Sequence, residues 1–156
     1  MMVALIRTSE WETPLFFHVL GAMLLVGGMF VASASLLLAW RSQDEGTTVA
    51  LTRFAYRTLF FLVLPAFLLM RIAAEWVLSK SPFDAVKDDL TWVGIGYLIS
   101  DIGGLALLIS LILAGIGLRR AENGPGRTGA RIVTVVTLLL LAAYVVAIWA
   151  MTTKPS

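Results

Sequence analysis

The sequence predicts an all-α integral membrane protein: a single domain over residues 1–156, built as an antiparallel bundle of four transmembrane helices. Three observations predict it. Hydrophobic residues make up 59% of the chain and charged residues 14%, with a mean hydropathy of +0.90, whereas a soluble domain carries about a quarter charged residues and under half apolar. Four apolar stretches are long enough to cross a hydrocarbon core, which takes about 20 helical residues. The stretches between them are short and polar. Lipid offers no partner to a bare backbone amide or carbonyl, and alternating strands are absent, so the four stretches are expected to be helices.

The first segment, residues 14–40, contains no Lys, Arg, Asp or Glu. Its length, and the absence of a cleavage pattern, set it apart from a removed signal peptide. Gly21, Gly28, Ala32 and Ser35 lie near one face, where small side chains let a neighbouring helix approach closely. His18, the chain's one histidine, falls one turn before Gly21 on that face and is expected to point into the bundle. The second segment, residues 54–78, contains Pro65 and the charges Arg71 and Glu75. The third, residues 91–118, opens beside Trp92 and holds Asp101; the fourth, residues 132–151, is uncharged and holds Tyr144.

The connections 41–53 and 119–131 read as polar loops, the latter broken by Gly124-Pro125-Gly126. In the connection 79–90, Ser81-Pro82-Phe83-Asp84 reads as a helix start. The first and third connections with their flanks carry seven basic residues: Arg41, Arg53, Arg57, Arg119, Arg120, Arg127 and Arg131. The opposite side carries four: Arg7, Lys80, Lys87 and Lys154. Basic residues near helix ends favour the cytoplasmic side, so both termini are expected outside. Trp11, Trp76, Trp92 and Trp149 then fall at the outer boundary and Trp40 at the inner one, where amphipathic rings sit.

Some chemistries are excluded or disfavoured. With no cysteine there is no disulfide, thiolate metal site or cysteine nucleophile. A formal net charge of +2 gives no footprint for nucleic acid. Gly94-Ile95-Gly96 and Gly115-Ile116-Gly117 follow no strand and precede no Lys-Ser/Thr pair, so they are not phosphate loops. Asp84, Asp88 and Asp89 favour the N-terminus of the third helix more simply than a metal ion. No metal site and no catalytic constellation is legible.

The polar residues share a depth. At about 1.5 Å per residue, His18 lies about 6 Å, Glu75 about 5 Å, Arg71 about 11 Å and Asp101 about 14 Å from the outer helix ends, with Tyr144 at a similar level. Arg71 and Glu75, four apart, share a helix face. A lone charge at mid-bilayer costs at least about 2.5–3.5 kcal/mol, which a guanidinium fork bridging two carboxylates offsets. The expectation is an Arg71-centred cluster facing the bundle interior. It would form one edge of an outer-half polar cavity lined by His18, Arg71, Glu75, Asp101 and Tyr144. Such a cluster either fixes helix register or serves function.

The first helix also carries a signature: His18, then Gly21, then an apolar run ending in Val26-Gly27-Gly28. This resembles a set of bacterial four-helix membrane proteins that includes an uncharacterised integral membrane family, CopD-type copper-resistance proteins and HemJ-type protoporphyrinogen oxidases. Leu64-Pro65-Ala66 and Trp92 fit the uncharacterised group. The resemblance implies a multi-pass protein of the bacterial inner membrane. On the HemJ pattern it implies haem b as cofactor, with His18 as axial ligand. The chain departs from that pattern by lacking a tryptophan between the histidine and the glycines, and by lacking a second histidine. A His/Met site remains chemically allowed, with Met70 or Met151 as the second ligand, as does a haem shared across a homodimer. A copper path would be short of ligands.

The functional expectation is a small inner-membrane protein whose polar cavity binds a small ligand, a cofactor or a partner subunit. The alternatives are a HemJ-like haem redox protein and an oligomeric transporter using Arg71 and Asp101 as a charge pair. Expected partners are the lipid bilayer and either further copies of the chain or a larger membrane complex.

Overall fold

The computed structural model describes residues 12–80, 91–123 and 127–153. They form α1 (Glu12–Arg41), α2 (Glu45–Thr58), a π-helical turn (Leu59–Val63), α3 (Leu64–Ser79), α4 (Thr91–Asn123) and α5 (Arg127–Thr153). Because α2, the π turn and α3 run on without a break, the described residues form four helical rods. All four are long and apolar enough to cross a membrane: Glu12–Arg41, Glu45–Ser79, Gly94–Arg119 and Arg131–Trp149. The protein is a multi-pass membrane protein by that measure.

The rods exceed the segments expected from hydropathy, because hydropathy marks the part of a helix that lies in lipid and not where hydrogen bonding ends. The largest correction is at the second rod, which starts at Glu45 and not near residue 54. Ser42, Gln43 and Asp44 alone separate it from α1. Asp44 has extended backbone (φ −85°, ψ 123°), and its Oδ2 accepts from the Thr47 amide at 2.6 Å, satisfying one of the four orphan donors of a helix start. Thr48 Oγ1 donates to the Asp44 carbonyl at 2.9 Å and to the Ala39 carbonyl at 3.4 Å, tying α2 to the end of α1. Residues read as a loop thus form a polar helix with Thr52 and Ala55 inward. The connection read over 119–131 shrinks likewise, with α4 reaching Asn123 and α5 starting at Arg127. The Gly124-Pro125-Gly126 breaker and the helix start at Ser81–Asp84 lie outside the described residues.

Pro65 explains the π turn. It has no amide proton to return to Phe61, and its ring crowds the preceding turn. The chain widens there, and the Leu64 amide donates to Leu59, five residues back. Leu59 and Val63 are both fully buried.

Around the bundle, α1 packs against the second rod on one side and α5 on the other; α4 packs along α5 and leans on α2 while scarcely touching α3. The core is built by Leu25, Met29, Leu36, Leu59, Val63, Leu107 and Val133. Large apolar side chains such as Phe16, Met23, Phe30, Phe61, Ile102 and Leu139 project outward, as a lipid-facing belt should.

Small residues set the closest approach. A Cβ on Gly21 would lie 2.7 Å from the Met70 amide nitrogen and 2.9 Å from its Cα, so α1 and α3 meet backbone to backbone. A Cβ on Gly28 would meet Val63 at 2.8 Å, whereas one on Gly27 would meet nothing within 4 Å. The expected small-residue face is therefore a packing face, with Gly21, Gly28, Ala32 and Ser35 all buried.

Gly21→Ala is expected to destabilise the bundle by about 1–3 kcal/mol, the usual cost of overpacking. Gly27→Ala is expected to be neutral, or stabilising by up to about 1 kcal/mol through helix propensity. Thermal unfolding of the two variants in one detergent checks the contrast. A pH effect follows from Asp44, whose carboxyl is held below the usual carboxylate range by hydrogen bonds from Thr47. A lowered folded-state pKa stabilises above the ordinary value of 3.8 and is lost as pH falls through the lowered one. Amide exchange at Thr47 should therefore lose protection below about pH 4 in wild type, whereas Asp44→Asn should show no such step.

Candidate functional site

Met70 and Arg71 are neighbours on α3, about 100° apart around its axis. Met70 faces α1 in the Gly21 contact, so Arg71 is turned away from α1, toward α4. Its Nη1 donates to Glu75 Oε1, and its Nη2 donates to Asp101 Oδ1 at 3.3 Å. The guanidinium carbon lies 4.7 Å from the centre of the Tyr97 ring, within cation–π range. Tyr97 precedes Asp101 by one turn, so α4 presents both to the same guanidinium.

The pairing of Arg71 with Glu75 and Asp101 matches the sequence expectation; its direction does not. The side chains of Arg71, Glu75 and Asp101 are 27%, 53% and 64% exposed. They occupy an open seam between α3 and α4, not the bundle interior. The physical reason is the divergence of these two rods: α4 leans on α2 and stands off from α3. Arg71 is about 12 Å from the end of α3 and Asp101 about 15 Å from the start of α4, both inside helices long and apolar enough to cross a membrane, with Glu75 one turn nearer the end of α3.

His18 occupies the neighbouring seam, between α1 and α3. Its Nδ1 lies 3.0 Å from the Met70 carbonyl oxygen. A carbonyl only accepts, so Nδ1 carries the proton of this hydrogen bond. That second-sphere pattern suits a metal-ligating histidine. Met70 does not fit as the opposite ligand of a haem iron, because its own backbone is the group His18 bonds, and α1 and α3 touch there. No slot for a porphyrin separates the two. The Met151 side chain lies outside the described residues. His18 thus acts here as a tether between α1 and α3.

Tyr144 goes elsewhere again. It is 4% exposed on α5, and its hydroxyl would lie 2.8 Å from a Cβ on Gly103. Gly104 gives the Phe67 ring the same room, at 2.6 Å. Neither the Tyr144 hydroxyl nor that of Ser100, one turn before Gly103, has a hydrogen-bond partner among the described residues. His18, the charged trio and Tyr144 therefore share a layer but occupy three different helix contacts. Residues that the sequence reading left out of the site are Tyr97, the Met70 carbonyl and Gly103. Tyr97 was detectable from its four-residue spacing to Asp101; the others depend on helix rotation.

No protein-family model, curated protein or solved structure matches the chain. These comparisons give no support to the expected resemblance to CopD-type and HemJ-type proteins. Among the described residues no group of three or more His, Asp or Glu is placed to hold a metal ion.

Arg71→Leu is expected to leave two carboxylates without their cation within the membrane spans and to destabilise by about 2.5–3.5 kcal/mol, the insertion cost of one unmatched charge. Restoring stability with the triple change Arg71→Leu, Glu75→Gln, Asp101→Asn would separate loss of compensation from loss of shape. Unfolding in lipid-like detergent, followed by circular dichroism, measures both.

Proposed function

We propose that the chain is a membrane-embedded docking subunit: an antiparallel four-helix bundle that holds a partner transmembrane segment at the α3–α4 seam. One observation carries this reading, the exposure of Glu75 and Asp101 beside Arg71 at membrane depth. A charged side chain facing lipid costs about 2.5–3.5 kcal/mol or more, and a covering helix removes that cost. An enclosed small-ligand cavity is less well supported, because the charged groups lie at an open edge. Transport by an Arg71/Asp101 pair would need a path through the bundle, and this pair lies at its side.

The antiparallel arrangement is supported by descending pairs along α1 and the second rod: Gly21 with Met70, Gly28 with Val63, Ala39 with Thr48. Placement of both termini outside rests on the arginines of the first and third connections. Among these, Arg131 stacks on Trp40 at 5.5 Å, a pairing suited to the headgroup region. The bacterial inner membrane as location rests on the first-helix resemblance.

Terminal fusions test the orientation: alkaline phosphatase is expected to be active, and green fluorescent protein dark, at both ends. For docking, the wild-type chain extracted in mild detergent is expected to migrate in a complex larger than the monomer, and Asp101→Asn in a smaller one. A wild type that runs only as a monomer would end the reading.

A further inference from the structure

We infer that the helix received at the α3–α4 seam belongs to another polypeptide and carries one lysine or arginine in the same half of the membrane. This deepens the docking reading and rests on it.

The argument is a charge count at a defined place. Two carboxylates, Glu75 and Asp101, meet a single guanidinium, and each ion pair runs through one oxygen, Oε1 and Oδ1. Arg71 spends one terminal nitrogen on each. Tyr97, under the guanidinium, adds no charge. The trio is left with one negative charge in excess, and it sits on the more exposed side: Asp101 is 64% exposed against 27% for Arg71. Leu68 stands one turn before Arg71, and Leu98 and Leu105 stand one turn either side of Asp101, all exposed. An apolar stripe with one anionic point at its centre is complementary to an apolar helix with one cationic point.

Other occupants fit less well. A second copy docked through the same seam would set one net negative cluster against another, and like charges facing each other disfavour association. The phosphate of a lipid headgroup meets the same repulsion. A lysine or arginine finds a carboxylate oxygen and a gain from pairing within hydrocarbon, the setting in which intramembrane charges are usually matched.

The test uses the full chain in lipid vesicles and designed Leu/Ala transmembrane peptides, uncharged or carrying one Lys, Gln or Glu at the depth of Asp101. Association is read by energy transfer between donor-labelled chain and acceptor-labelled peptide. The Lys peptide is expected to bind about tenfold more tightly than the uncharged one, the scale of one intramembrane polar contact, and the Glu peptide no better than the uncharged one. Asp101→Asn should erase the Lys preference and Asp101→Glu should keep it. Where Asp101→Asn lowers helicity, Glu75→Gln serves as the second neutralising variant. Equal binding of Lys and uncharged peptides would overturn the charge selection and leave the docking reading intact. No binding by any peptide to a folded chain would overturn both, and self-association strengthened by Asp101→Asn would assign the seam to a second copy instead.

Discussion

The contact between Gly21 and the backbone of Met70 governs the polar end of this bundle. With no side chain on Gly21, α1 and α3 approach until main chains touch. That contact fixes the rotation of α3. Met70 is held toward α1, its carbonyl is presented to His18, and the next residue, Arg71, is carried round toward α4. The ion pairs with Glu75 and Asp101 follow from that rotation as much as from the attraction of opposite charges.

A second constraint acts further along the same rod. Pro65 removes one backbone donor, and the π turn before it absorbs the defect without ending the helix. Lipid makes this the economical solution, because a true break would expose several unsatisfied groups to hydrocarbon. The second rod therefore stays continuous from Glu45 to Ser79. Its far half leans on α4 and its near half stands away. The open seam is a consequence of that divergence, and the exposed carboxylates are a consequence of the seam.

The buried hydroxyls sharpen the contrast between core and seam. Ser35, Ser110 and Thr137 each return a hydrogen bond to a carbonyl three or four residues back in their own helix, the usual accommodation in a membrane helix. Tyr144 cannot do so, since its hydroxyl stands too far from its own backbone, and it ends instead against the bare face of Gly103. The buried hydroxyls of Ser35, Ser110 and Thr137 are thus settled within their own helices, whereas Arg71 is paired both within α3, to Glu75, and across to Asp101 on α4.

The sequence alone determined the four helices, their apolar lengths, the pairing of Arg71 with Glu75 four residues on and the common depth of the polar residues. Each of these depends on composition, rise per residue or spacing within one helix. It also marked the small-residue face of α1, because Gly21, Gly28 and Ala32 repeat at helical spacing. It missed the extent of α2, since a polar helix outside the apolar span looks like a loop to hydropathy. Only the tertiary structure decided that Arg71 and Asp101 face a seam and not the interior, that His18 bonds the Met70 carbonyl, and that Tyr144 turns to Gly103. The reason is physical. In a helix that is apolar all round, as α1 is, no amphipathic stripe says which side faces inward. Rotation about each axis is then set by where small residues let backbones meet.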